Sequence, residues 1–137
     1  MLANHLPFQS QTQQITHPGV SEIIIPEAHG ASLDLVMPML AHLSHKAGAR
    51  WMSWIGESNV PQTAFDEYQF ERGNVRLIHS HNDEESLWML WDALNNGTSA
   101  FVVASFTSSK YVQKNEIAKL EQACYQGNSR ALVLKHH

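Results

Sequence analysis

Ala100-Phe-Val-Val-Ala-Ser-Phe106 is the most apolar stretch of this 137-residue chain, and reading it as the central strand of a sheet decides the fold class. Strands that are apolar on both faces belong to sheets covered by helices on both sides. Glu22-Ile-Ile-Ile-Pro26 reads the same way, with Pro26 as its stop. Outward from these runs, further short strand-like segments at Trp51–Ile55, Val75–Ile78 and Ala131–Leu134 are separated by longer amphipathic ones. Such alternation is the mark of stacked β-α units, which predicts an α/β fold with a mainly parallel sheet.

The amphipathic segments have recognisable ends. Leu33, Val36, Met37, Leu40, Ala41 and Leu43 recur at helical spacing between Ala31 and Ala47, with Ser32 as N-cap and Gly48 as stop. Pro38 predicts a kink there, or a later start. The polar segment Gly56 to Pro61 reads as a loop leading into a short helix with Ala64, Phe65 and Tyr68. Asp83 reads as an N-cap, Glu84 and Glu85 suit a first turn, and Leu87, Leu90, Trp91 and Leu94 form the stripe of that helix. Asn95-Asn-Gly97 ends it, and Ser108-Ser-Lys110 links the next strand to a helix over Glu116–Tyr125 that closes at Gly127. Met1 to Gly19 is glutamine-rich and lacks either apolar period, so it is expected to be a disordered tail before a single domain over 20–137.

Composition narrows the function. The length is that of one ordinary domain, too short for two lobes around a cleft. Nine Lys and Arg against 13 Asp and Glu give a net charge of −4, which argues against a phosphate-neutralising nucleic-acid binder. Cys124 is the single cysteine, so no intramolecular disulfide forms. No apolar run approaches the roughly 20 residues that cross a bilayer, so no membrane partner is expected. The first residues lack the basic start and apolar stretch of a secretory signal, and a cytoplasmic location fits best.

Catalytic motifs are missing. None of the seven glycines belongs to G-x-x-x-x-G-K-[ST] or G-x-G-x-x-G, and Pro26-Glu-Ala-His-Gly-Ala-Ser32 after the first strand holds no lysine. A nucleotide-binding ATPase relative would therefore need a novel site. His42 with His45 and His79 with His81 could make two ligand pairs, yet no H-E-x-x-H or paired cysteines accompany them, so no metal is expected and solvated histidines are preferred. His136 and His137 read as a solvated end. Cys124 sits on an apolar helical face and reads as a buried small hydrophobe. Ser53 lacks the glycine-flanked elbow of a nucleophile. Neither enzyme activity nor a cofactor is expected.

Aromatic residues then stand out. Trp51 and Trp54 lie an odd number of residues apart, so they face opposite sides of their strand, and core is the preferred assignment for both. Trp88 and Trp91 are neighbours on a helix, and Trp88 is the more exposed candidate because Leu87, Leu90 and Leu94 already supply the stripe. Trp and Arg are favoured interface anchors, and Arg50, Trp51 and Trp54 place both types at one strand entrance. An adapter or inhibitor that acts by surface binding follows.

Arg50-Trp-Met-Ser-Trp-Ile55, preceded by Met37-Pro-Met-Leu40 and followed by Ala93-Leu94, Gly97, the strand Ala100 to Phe106, and Ala123 with Gly127, resembles the SulA family over about Ser21 to Lys135. The resemblance implies a RecA-like three-layer α/β sandwich that lacks the phosphate-binding loop. It implies an SOS-induced inhibitor of cell division that binds FtsZ and blocks its polymerisation and Z-ring formation by occupying the subunit interface. Arg50 and Ile55 align with family positions important for inhibition. Phe65 stands where the family has a large aromatic, and Arg72 or Arg76 stands for a basic residue near the third strand. An exposed Arg50 at the strand entrance would be replaceable by Ala without loss of the fold. The resemblance also implies a homodimer and degradation by the Lon protease, for which Lys135 to His137 offers little length.

Overall fold

The computed structural model describes residues 17–25, 32–56 and 60–136. Most of the expected tail, residues 1–16, lies outside them, as do 26–31 after the first strand, 57–59 of the loop after the second, and His137. Among the described residues, five strands, β1 (Gly19–Ile25), β2 (Trp51–Ile55), β3 (Val75–Ile78), β4 (Ser99–Phe106) and β5 (Arg130–His136), form one sheet in the order β1-β5-β4-β2-β3. All four pairings are parallel. Four α-helices accompany them: α1 (Met37–Lys46), α2 (Gln62–Glu67), α3 (Asp83–Asn95) and α4 (Lys114–Gly127).

Two apolar layers make this a three-layer sandwich. On one face Met52, Trp54, Phe101, Val103, Leu132 and Leu134 pack against Met37, Leu40, Phe65 and Phe70. On the other Ile55, Val102, Ala104, Ala131 and Val133 pack against Leu90, Leu94, Leu120 and Cys124. Strand periodicity sends alternate residues to the two layers, so β4, third of five strands, must be apolar throughout. Residues Ser99 to Ala104 and Phe106 are all buried. The expected α/β architecture with β4 at its centre is what the chain forms.

β1 differs from the expectation of a strand covered on both faces. It is an edge strand: Ile23 packs on the core and Ile25 is within it, but Glu22 and Ile24 are exposed, Ile24 at 65%. The first helix starts late. A 3-10 turn over Ser32–Leu35 precedes α1, and Pro38 sits in its first turn, where a missing N–H leaves no bond unmade. Asn82, not Asp83, caps α3, accepting from the Glu85 N–H at 2.8 Å.

The C-terminal ends of α3 and α4 approach closely. A Cβ on Gly127 would stand 1.8 Å from the Leu94 carbonyl oxygen, so only glycine fits there. Ser129 donates to that same oxygen at 3.0 Å.

Candidate partner interface

The five residues singled out as partner-binding do not form one patch. Arg50 precedes the amino-terminal end of β2 and Ile55 closes the carboxyl end, about 16 Å apart along the strand. Ile55 is fully buried against the α3 and α4 layer, so it serves as core and presents no surface to a partner.

Arg50 is not the exposed cation expected. It is half-buried, and its Nη1 donates to the carbonyls of Gly97 and Gly127, each at 3.2 Å, while Nη2 donates to Asn128 O at 2.7 Å. A longer contact reaches Ser99 O at 3.5 Å. These carbonyls lie at or just beyond the ends of α3 and α4, near the negative ends of the helix dipoles. Burial lowers the Arg50 pKa from its ordinary value, yet a guanidinium stays charged in this setting. One side chain thus clasps β2 to both helix ends. Replacing Arg50 by Ala therefore removes fold-stabilising bonds, which corrects the expectation of an intact fold.

Phe65 and Arg72 meet on one face of β3, the edge strand on the far side of the sheet, and Arg76 lies within that strand. Phe65 is buried, edge-to-face with Phe70 at 5.1 Å between centroids. The Arg72 guanidinium lies over the Phe65 ring at 5.6 Å, bonds to Gln62 Oε1 and approaches Asp66 Oδ1 at 3.7 Å. With Val75 and Leu77 these groups line a hollow of about 250 Å³. Leu77 is 41% exposed, an apolar side chain unfilled on an open edge. Sequence patterning alone missed it because a four-residue strand shows too little alternation to say which side lacks cover.

Arg76 points to the opposite face. Its Nε and Nη2 donate to Ser53 Oγ at 3.3 and 3.1 Å, and Ser53 shares a 2.8 Å bond with Ser99 Oγ. The guanidinium also lies over Trp51 at 5.4 Å. Arg76 thus satisfies a buried hydroxyl pair, and Arg72 is the more solvent-facing cation of the two. Trp54 is fully buried, in line with a core role, whereas Trp51 is 38% exposed beside Arg76.

The carboxyl end of the sheet is where a nucleotide would bind in an open parallel α/β fold. The chain leaves β2 towards β3 and leaves β4 towards β5 on the other side, so the crevice between β2 and β4 is the topological switch point where doubly wound sheets bind ligands. A polar hollow of about 280 Å³ lies there, lined in part by Gly56, Ser80, Asp83, Ser105 and Thr107. The loop donors after β4 already have an acceptor: Asp83 takes the Thr107 N–H and Oγ1–H at 3.1 and 2.9 Å and the Ser108 N–H at 2.9 Å. A carboxylate of the chain itself stands against the donors that would cradle a phosphate. Gly56 completes the hollow at φ +97°, where a Cβ would press on Ser105 O at 3.4 Å.

The other chemical candidates are accounted for. His45 Nε2 is 2.8 Å from Gln69 O, and His81 Nδ1 is 2.9 Å from Glu85 Oε1, with the His79 ring edge-on to His81. Among the described residues no group of three or more His, Cys, Asp or Glu is placed to hold a metal ion. Cys124 is buried with its thiol directed at Gly19 O, 3.4 Å away. Among the described residues no helix is long and apolar enough to cross a membrane.

No family model and no curated protein sequence matches the chain. Among solved structures, SulA from Pseudomonas aeruginosa matches with a TM-score of 0.76 and 22% identity, covering 86% of this chain and 98% of that one. A peptidase from an acI-B1 Actinobacterium matches with a TM-score of 0.45 and 14% identity, over 86% of this chain and 54% of the peptidase. The chain has the fold of SulA.

Proposed function

We propose that this chain, built on the SulA fold, is an SOS-response cell division inhibitor that binds FtsZ and prevents its polymerisation by covering the surface on which the next subunit would assemble. The observation that carries the reading is the match to SulA along nearly the whole of that protein. The β3 edge supports it, because Arg72 and the exposed Leu77 present a cation and an apolar side chain around a hollow backed by the buried Phe65. Occupancy requires no bond-making by the inhibitor, so we assign no enzymatic activity and no cofactor. A cytoplasmic location follows from an FtsZ partner, and a homodimer and turnover by Lon belong to the same reading.

The deciding experiment is sedimentation of FtsZ polymer formed with GTP in the presence of increasing amounts of this protein. Polymer should fall in proportion to inhibitor added, and full polymer at excess inhibitor would sink the proposal. The competing reading, a nucleotide-binding ATPase relative or filament modulator, is disfavoured by the Asp83 carboxylate on the loop donors of the switch-point crevice. Calorimetric titration with ATP and GTP separates the two.

A further inference from the structure

Asn95-Asn-Gly97, which ends α3, holds the single Asn-Gly step of the chain. A glycine after asparagine has no side chain to keep its nitrogen away from the amide carbon beside it. Asn96 is exposed and lies one residue beyond α3, at φ −81° and ψ −9°. Among the described residues neither the Asn96 C=O nor the Gly97 N–H has a hydrogen-bond partner, so no bond holds that peptide plane against rotation. Turning the plane changes the Asn96 ψ and the Gly97 φ, now +79°, in a compensating way that glycine tolerates. The turn carries Gly97 N towards Asn96 Cγ.

The side-chain amide is held at its oxygen. Asn96 Oδ1 accepts from the Thr98 N–H at 2.9 Å and from the Thr98 Oγ1–H at 2.8 Å. Negative charge grows on that oxygen when a nucleophile adds to Cγ, and two donors already aimed at it act as an oxyanion hole. Among the described residues the Asn96 side-chain nitrogen, the group that must leave, has no partner.

We propose that Asn96–Gly97 is a site of spontaneous covalent modification, deamidation through a cyclic imide to isoaspartate, and that the product unfastens the Arg50 clasp. Gly97 N, its proton taken by hydroxide, forms a bond to Asn96 Cγ. The bond from Cγ to the side-chain nitrogen breaks, and that nitrogen leaves as ammonia with a proton from water. Water then opens the imide. Cleavage between Cγ and the nitrogen gives aspartate at 96, whereas cleavage at the backbone carbonyl gives isoaspartate, with the main chain running through Cγ and the former backbone carbonyl a free carboxylate. Isoaspartate thus adds a methylene to the main chain next to Gly97, whose C=O takes an Arg50 N–H at 3.2 Å. One residue on, the Thr98 C=O takes the Trp51 N–H at 3.1 Å. The new carboxylate also stands at the negative end of α3, where it is unfavourable. The site is independent of the β3 edge and of the FtsZ reading.

The test incubates the native full chain for weeks in mildly alkaline buffer at physiological temperature. Isoaspartate is located by peptide mapping and counted by methyl transfer from S-adenosylmethionine with an isoaspartyl methyltransferase. It should form at position 96 ahead of every other asparagine. Thr98→Val, an exposed change that removes one donor, should slow its formation about fivefold, with unchanged amide spectra showing that the fold is kept. The isoaspartyl form, separated by anion exchange, should unfold at lower urea than Asn96→Asp, which has the added charge without the added methylene. In Arg50→Lys, where the clasp is already open, that gap should narrow. No isoaspartate at 96 in the native chain while the urea-unfolded chain forms it, or faster formation in Thr98→Val, would overturn the site. Coincident midpoints of the isoaspartyl form and Asn96→Asp, or an undiminished gap in Arg50→Lys, would overturn its link to the clasp.

Discussion

Arg50 Nη2 donates to the Asn128 carbonyl at 2.7 Å, closing a contact across 78 residues of sequence. Together with the bonds to Gly97 and Gly127 it makes one guanidinium the common partner of two helix ends. Arg50→Ala should therefore lower stability by about 2–3 kcal/mol in urea unfolding, because half-buried carbonyls lose a charged donor. Arg50→Lys should recover little of this, since a single ammonium cannot span the same oxygens. Wild-type stability in Arg50→Ala would refute the clasp.

Gly127 gives a sharper test of the same corner. Its Cα faces the Leu94 carbonyl so closely that a methyl group has no space, and the obstruction is backbone rather than a yielding side chain. Gly127→Ala should cost about 3 kcal/mol or more, or prevent folding, read as soluble yield and melting temperature.

Two residues of β2 and β3 should separate fold from partner binding. Leu77→Asp, on the exposed edge, should leave the melting temperature nearly unchanged while weakening inhibition of FtsZ sedimentation. Ile55→Ala should cost about 2–4 kcal/mol by opening a cavity under α3, with any loss of inhibition explained by unfolding. If Leu77→Asp inhibits as well as wild type, the β3 hollow is not the contact surface.

Burial pushes the Cys124 thiol up from 9.0 to about 11. A thiol whose folded pKa is raised contributes stability that is complete below pH 9 and is lost as pH rises towards 11. Unfolding midpoints should accordingly fall across that window more steeply than in Cys124→Ala. At about pH 8 a thiol reagent should leave the native protein untouched and react once per chain in denaturant.

Acid should act through Glu85. Its carboxylate accepts from the His81 ring at 2.9 Å and from the His81 N–H at 2.8 Å, bonds that hold it below its ordinary 4.5. A depressed folded pKa supplies stability above about 4.5 that disappears as pH falls through the lowered value. The stability gap between wild type and Glu85→Gln should close on acidification through this range, and a pH-independent gap would rule the linkage out.

Much of the architecture was legible because a doubly covered sheet writes itself as uninterrupted apolar runs. The odd spacing of Trp51 and Trp54 also foretold that they face opposite layers, although only Trp54 became core. The site was less legible. Glu22-Ile-Ile-Ile-Pro26 looks like a central strand by composition, but its place at the edge depends on where β5 inserts, which no local pattern encodes. Arg50 reads from sequence as an exposed cation because its acceptors lie 47 and more residues away. Ile55 drew notice through its alignment beside Arg50, yet strand alternation turned it inward. Arg72 and Arg76 could not be ranked until Ser53 and Ser99 were seen to hold one of them.

The place of β5 governs how the molecule comes apart. Among the described residues β1 is hydrogen-bonded to β5 and to no other strand, and β5 is the last strand. During synthesis the first strand has no neighbour until nearly everything else has been made. In reverse, a pull applied at the end of β5 draws out the strip between β1 and β4 first, splitting off β1 and leaving a three-stranded β4-β2-β3 remnant in which β4 has become a bare edge. Loss of β5 thus unpairs two strands, β1 and β4, whereas loss of β1 unpairs β5 alone.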